Sequence, residues 1–155
     1  MTNVSKERLL AAYAALESAD RGRITEFWDE DLRWEVPGHQ PNSGWYEGLD
    51  AYLSLRETVA KAAGGTFTIE ISGIFVDAEA GRTVDVRHTT ARRAHAPEDS
   101  RSPFHWLDIE GVHFLTWRDG RVVEGRGAVI GHGEANFNLW WSPVDPDGRR
   151  FPAHA

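Results

Sequence analysis

Leu9, Ala12, Tyr13 and Leu16 recur at the i, i+3, i+4, i+7 spacing of an amphipathic helix, which predicts a first helix from about Ser5 to the stop at Asp20-Arg21-Gly22. A second, short helix fits Ile24 to Asp31, with Ile24, Phe27 and Trp28 on one side. It leads into Leu32-Arg33-Trp34-Glu35-Val36, which alternates like a strand until Pro37-Gly38. Residues 39–47 read as a polar loop, and Leu49 to Ala63 returns to helical spacing through Tyr52, Leu55 and Val59 before Gly64-Gly65. From Thr66 the period is two: Phe67, Ile69 and Ile71 alternate with polar residues, as do Val84, Val86 and His88. The polar stretch 94–103 reads as an exposed loop. Phe104–Trp117 and Arg121–His132 flank Asp119-Gly120, the dipeptide of a type I′ hairpin, because both central residues must take positive φ. After Gly133 comes a short turn or helix through Ala135 to Trp141, then a Pro/Asp/Gly-rich tail whose last residues are expected to be mobile. Helices followed by strands predict an α+β fold, with three N-terminal helices on one face of a curved antiparallel sheet. The 155 residues suffice for a single domain, with a core over about 5–141 and a tail over 142–155.

A formal charge of -7 disfavours phosphate backbones and anionic lipid, so neither nucleic acid nor membrane is an expected partner. With no cysteine there are no disulfides, thiol nucleophiles or thiolate metal sites. No run approaches a membrane span, and Met1 to Arg8 lacks the apolar stretch of a signal peptide, so a soluble, cytoplasmic protein is expected. There is no His-Glu-x-x-His, P-loop or Gly-x-Ser-x-Gly elbow, and Gly125 to Gly131 lies in a hairpin strand, one residue too long for a dinucleotide fingerprint. Neither a cofactor nor a metal is expected.

The hairpin brings polar groups together. With a two-residue turn continued without interruption, Trp117 faces Val122, Leu115 faces Glu124, His113 faces Arg126, Gly111 faces Ala128 and Leu107 faces His132. Both faces are mixed, and Trp117, Leu115, Val122 and Ile130 favour this one as inward. His113, Glu124, Arg126 and His132 then point among apolar neighbours, where an unpaired polar group is costly. A pocket would explain them: His113 moves a proton and Arg126 stabilises an enolate-like oxygen. Arg126 would disfavour the imidazolium and Glu124 would favour it; where the Arg dominates, His113 is neutral at pH 7 and accepts a proton. Equally, Arg126 and Glu124 form an ordinary cross-strand ion pair and His113 is a half-buried structural residue. His88 continues the series Val84, Val86 toward the same cavity, or is a hydrogen-bonded core residue. His39 and Tyr46 lie in the loop after Gly38, a place for a pocket mouth. Trp28, Trp34 and Trp117 would wall a flat hydrophobic ligand, or pack the core.

The order of two helices, Trp34-Glu35-Val36-Pro37-Gly38, Ser43-Gly44-Trp45-Tyr46-Glu47-Gly48, a helix, then strands reaching Trp117-Arg118-Asp119-Gly120-Arg121-Val122-Val123-Glu124 resembles the SnoaL-like polyketide cyclases. These share a superfamily with nuclear transport factor 2, ketosteroid isomerase and scytalone dehydratase. The resemblance covers about residues 5 to 141 and is more specific for fold than for activity. It implies a cone-shaped, strongly curved antiparallel sheet on helices, a deep hydrophobic pocket, a homodimer, and acid/base chemistry without metal or cofactor. Val36 stands where ketosteroid isomerase has its general-base Asp, and Ala12 near its Tyr donor with Tyr13 one place off, so the steroid mechanism is not implied. His113 falls at the oxyanion-side Asp, and His132 near an Asp that many SnoaL-like proteins carry late in the last strand. In the limonene-epoxide-hydrolase type, Arg87 or Arg126 would stand for the Arg, without its partner carboxylates.

These readings converge on a cofactor-independent acid/base enzyme of cyclase, dehydratase or isomerase type, acting on a hydrophobic, carbonyl-bearing, polyketide-like molecule. His113, Arg126 and His132 are the catalytic candidates. Tyr13, Trp28, Trp34, Val36, His39, Tyr46, His88, Leu115, Trp117, Glu124, Ala128 and Ile130 are the binding candidates. A non-catalytic binder of small hydrophobic ligands is the alternative, ahead of an epoxide-hydrolase-like activity and a protein-binding module.

Overall fold

The computed structural model describes residues 3–150; the expected mobile end, 151–155, lies outside the described residues. The chain runs α1 (Lys6–Glu17), α2 (Arg21–Ile24), β1 (Trp28–Val36), β2 (Gly44–Glu47), α3 (Leu49–Ala62), β3 (Thr68–Asp77), β4 (Arg82–Arg92), β5 (Trp106–Arg118), β6 (Arg121–Val129) and α4 (Gly133–Trp140). Ser5 starts α1 by accepting the Arg8 N–H at 3.0 Å, and Asp20 starts α2 through the Arg23 N–H. Each satisfies a donor the helix leaves unpaired.

The strands form one sheet ordered β2-β1-β6-β5-β4-β3. Four of the pairings are antiparallel, but β1 runs parallel to β6, so the sheet is mixed where the sequence predicts an antiparallel one. The link from β1 to β6 is long, and no hairpin constrains their relative direction. The inner face packs on α1 and α3. Leu9, Ala12 and Leu16 of α1 and Tyr52 and Leu55 of α3 meet Trp28, Leu32, Trp34, Leu115, Trp117 and Val122. A second cluster joins Ala62, Ala91, Leu107 and Ile109 to Trp140 and Trp141. Arg93 anchors that end, donating to the carbonyls of Trp140 and Ser142.

Three local expectations change. The helix predicted over 24–31 is one turn, α2, followed by a strand from Trp28. Trp28 is fully buried and its indole N–H donates to the Ala12 carbonyl at 2.9 Å; a tertiary contact overrides a weak local periodicity. The predicted loop 39–47 contains β2, a short edge strand paired to β1. Most consequential is a bulge in the hairpin. Asp119 and Gly120 do take positive φ, 50° and 76°, and Trp117 faces Val122. The next pair, however, is Thr116 with Glu124, which leaves Val123 as an extra residue. A one-residue slip turns over the rest of β6. His113 therefore faces Gly127, and Arg126 faces Phe114.

The face expected for β4 is also reversed. Thr83, Asp85, Arg87 and Thr89 are buried, whereas Val84, Val86 and His88 are half-buried on the outer side. Hydrophobicity points the wrong way because the buried charges neutralise each other, and the outer face holds its own apolar cross-strand pairs, Phe75 with Val84 and Val84 with Phe114.

Candidate active site

The helical stripe that buries Leu9 and Leu16 also turns Tyr13 toward the sheet. On β4 the two-residue period places Asp85 and Arg87 on the same inner face. Asp85 is fully buried and Arg87 is 8% exposed, so the pair is stable only if its hydrogen-bonding capacity is met. Asp85 Oδ2 accepts from Arg87 Nε at 2.8 Å and Nη2 at 2.5 Å, and Oδ1 accepts from the Tyr13 hydroxyl at 2.5 Å. The Arg87 guanidinium also lies 4.9 Å from the centre of the Tyr13 ring, a cation–π contact. Arg87 Nη1 makes no hydrogen bond among the described residues.

His113, on the inner face of β5, completes the cluster. Its Nδ1 lies 3.4 Å from the Tyr13 oxygen. Because Tyr13 gives its one proton to Asp85, its oxygen can only accept from the ring. That assigns the proton of the neutral imidazole to Nδ1 and the lone pair to Nε2. Burial, followed by the charges of Arg87 and Arg56, holds His113 well below the ordinary imidazole pKa. Burial likewise pushes the Tyr13 phenol well above its usual value, so both groups are neutral at pH 7.

Trp34 packs edge-on to His113, with ring centres 4.8 Å apart, and stacks on Tyr52 at 4.5 Å. It reaches this position because residue 125 on β6 is glycine. A Cβ there would stand 2.2 Å from the Trp34 ring.

Tyr13, Arg87, His113, Trp34 and Tyr52 line a cavity of about 680 Å³, with Asp85 buried behind them, within the range of small-molecule sites. Val36, Val59, Ile69, Ile71, Val129 and Phe137 supply apolar walls, and Phe67 and Ile69, 37% and 42% exposed, border solvent. Among the described residues, no group of three His, Asp or Glu side chains is arranged to hold a metal ion. No helix among them is long and apolar enough to cross a membrane.

Of the residues expected from the sequence, Tyr13, Trp34, Val36, Arg87 and His113 line the cavity, and Ala128 borders it although the bulge turns this exposed residue to the outer face. The others do not. Arg126 lies on the outer face, its Nε and Nη2 donating to Glu35 at 3.1 and 3.3 Å. Glu124 lies 3.6 Å from Arg33. Both are turned away by the Val123 bulge. His132 is exposed at the N-terminus of α4, because β6 ends at Val129. His88 bonds Asp108 at 2.7 Å on the outer face, and that bond raises its pKa. His39 is exposed beside Glu134, and Ile130 is 47% exposed. Tyr46 packs against the core edge and donates to the Asn42 carbonyl. Trp28, Leu115 and Trp117 are core residues; Trp117 donates to Thr83 Oγ1 at 2.9 Å. Asp85 as a site residue, and Arg56 and Tyr52 on the cavity wall, were not anticipated. The available signal was an acid and a base two residues apart on one strand, flanked in the same period by Thr83 and Thr89.

Comparison with known proteins gives one family and a consistent fold. The model of a SnoaL-like domain matches residues 9–125. An uncharacterised Mycobacterium tuberculosis protein, Rv0034, is 27% identical over 89 residues, 57% of this chain and 67% of its own. Among solved structures, Bal32a from a soil-derived mobile gene cassette superposes with a TM-score of 0.73 at 24% identity, covering 88% of this chain and 95% of its own. TerC, co-crystallised with polyporic acid, gives 0.65 at 17% identity, covering 86% and 96%. At these identities the structural matches speak for the fold.

Proposed function

Because the chain belongs to the SnoaL-like domain family, we propose that its cavity is the active site of a cofactor-independent acid/base enzyme of cyclase, dehydratase or isomerase type. The substrate is a hydrophobic, carbonyl-bearing, polyketide-like molecule. The observation that carries this reading is the neutral His113, with Nε2 unbonded among the described residues and Nδ1 held by a phenol whose proton is committed to Asp85. In this scheme Nε2 takes a proton from the carbon next to a substrate carbonyl. The electron pair moves onto the carbonyl oxygen, and Arg87 Nη1 stabilises that enolate. The imidazolium then returns the proton to another carbon in isomerisation, to a leaving hydroxyl in dehydration, or to the alkoxide formed by intramolecular aldol closure. Tyr13 and Asp85 hold the ring and its tautomer. Asp85 supplies the carboxylate that the epoxide-hydrolase comparison lacks on the sequence, but both its oxygens are already bonded to Arg87 and Tyr13, so it has no lone role as a water-activating base.

The test is α-hydrogen exchange in D₂O with aromatic methyl ketones, 2-acetonaphthone first, followed by NMR. Wild-type protein should accelerate exchange, and His113→Gln should lose about 10²–10⁴ of that acceleration. Saturable binding with equal exchange in both proteins would make the cavity a binding site without catalysis. The reading includes a homodimer through the outer sheet face, supported by Phe75, 65% exposed beside half-buried Val84 and Phe114. Sedimentation as a 17.4 kDa species would remove it.

A further inference from the structure

On α3, Tyr52, Leu55, Arg56, Val59 and Ala60 follow the i, i+3, i+4, i+7, i+8 stripe, and all five line the cavity. Four are the apolar or aromatic residues such a stripe calls for. Arg56 is not. Its guanidinium bonds Glu17 of α1 at 2.5 Å and interacts electrostatically with the Tyr52 phenol on its own helix, so several of its five N–H donors are uncommitted. Glu17 is a weak holder: its side chain is 76% exposed against 32% for Arg56, and an ion pair so hydrated is easily exchanged. The other guanidinium of the cavity, Arg87, is neutralised at short range by the fully buried Asp85. No other carboxylate lines the cavity among the described residues. The cavity's charges therefore balance only while Glu17, itself a lining residue, stays on Arg56; a ligand that takes its place meets the Arg56 charge within apolar walls that strengthen its field. The lowered pKa of His113, to which Arg56 contributes, accords with that field reaching across the cavity.

Resting on the reading of this cavity as a small-molecule site, we infer that its ligand is an organic anion: a flat aromatic body bearing a carboxylate or an equally acidic enol, with the anionic oxygen held by Arg56 in exchange for Glu17. Arg56 then sets specificity and orientation, and the reacting carbonyl lies at the His113 end.

The probes are 2-naphthoate and its neutral near-isostere 2-acetonaphthone, titrated at pH 7.5 by calorimetry into wild type, Arg56→Gln and Glu17→Gln, each first shown folded by circular dichroism. The acid is expected to bind about tenfold or more tightly than the ketone, as charge-assisted bonds to a guanidinium should provide. Arg56→Gln should abolish that preference, weakening the acid about tenfold or more relative to the ketone. Glu17→Gln should tighten the acid alone, by freeing the guanidinium; a residue with only a structural role would not produce this opposite sign. Equal binding of acid and ketone by wild type, or an equal loss of both in Arg56→Gln, overturns the inference and leaves the cavity reading standing. Failure of folded wild type to bind either probe counts against both.

Discussion

Replacing Asp85 by Asn keeps the shape of the side chain and removes its charge where the structure is least able to accommodate the loss. Asp85 has no exposed surface, and Arg87 beside it is 8% exposed. Two of the three hydrogen bonds to the carboxylate come from that guanidinium. An Asn oxygen can still accept from Tyr13 or from Arg87, but the guanidinium becomes a buried, uncompensated cation. Breaking one side of such a pair costs about 3–5 kcal/mol. With a urea m-value of about 2 kcal/mol/M, the midpoint of unfolding should fall by about 1.5–2.5 M. Because the cost is the orphaned charge, Asp85→Asn combined with Arg87→Met should be less destabilised than the sum of the single variants, by about 1 kcal/mol or more. Equilibrium urea unfolding followed by circular dichroism measures all four proteins. A midpoint shift under about 0.5 M for Asp85→Asn, or strict additivity in the double variant, would refute the claim that this pair is the electrostatic keystone of the cavity.

His113, held well below its ordinary pKa by burial and by Arg87 and Arg56, should make stability depend on pH. As pH falls from about 6.5 toward the lowered native value, the unfolded chain binds a proton that the native chain refuses. Stability from this residue is then lost at about 1.4 kcal/mol per pH unit. Urea midpoints at pH 7.5, 6.0 and 5.0 should fall more steeply in wild type than in His113→Gln, and parallel profiles would count against a buried neutral imidazole. Gly125→Ala would place a methyl group 2.2 Å from the rigid Trp34 ring, an overpacking expected to cost about 1–3 kcal/mol and to weaken 2-acetonaphthone binding by disturbing the Trp34 contact with His113. An unchanged urea midpoint would show that the ring has room to move.

The parts of this fold legible in the sequence are those fixed by short-range chemistry. The α1 stripe through Leu9, Ala12 and Leu16 and the Asp119-Gly120 turn follow from spacing and from positive φ, and both are present. The site was harder to read because two longer-range facts invert the local evidence. Beyond Val123 every β6 side chain changes face, so the charged neighbour assigned to His113 belongs to Phe114. A bulge leaves almost no mark in composition, since Val122 and Val123 are equally good strand residues. On β4, alternation alone put the valines inside and the charges outside. Asp85 and Arg87 are tolerated within because each satisfies the other, and Tyr13 satisfies the remaining carboxylate oxygen. Transfer energies of single residues cannot register that, because the relevant quantity belongs to the pair. On a strand with two mixed faces, opposite charges two residues apart therefore deserve to be weighed as one neutral unit before a face is chosen. By that rule the inner face of β4 reads Thr83, Asp85 with Arg87, Thr89 and Ala91. His113, opposite Asp85 in the β4–β5 register, then meets that unit through Tyr13, which bonds both, without Arg126.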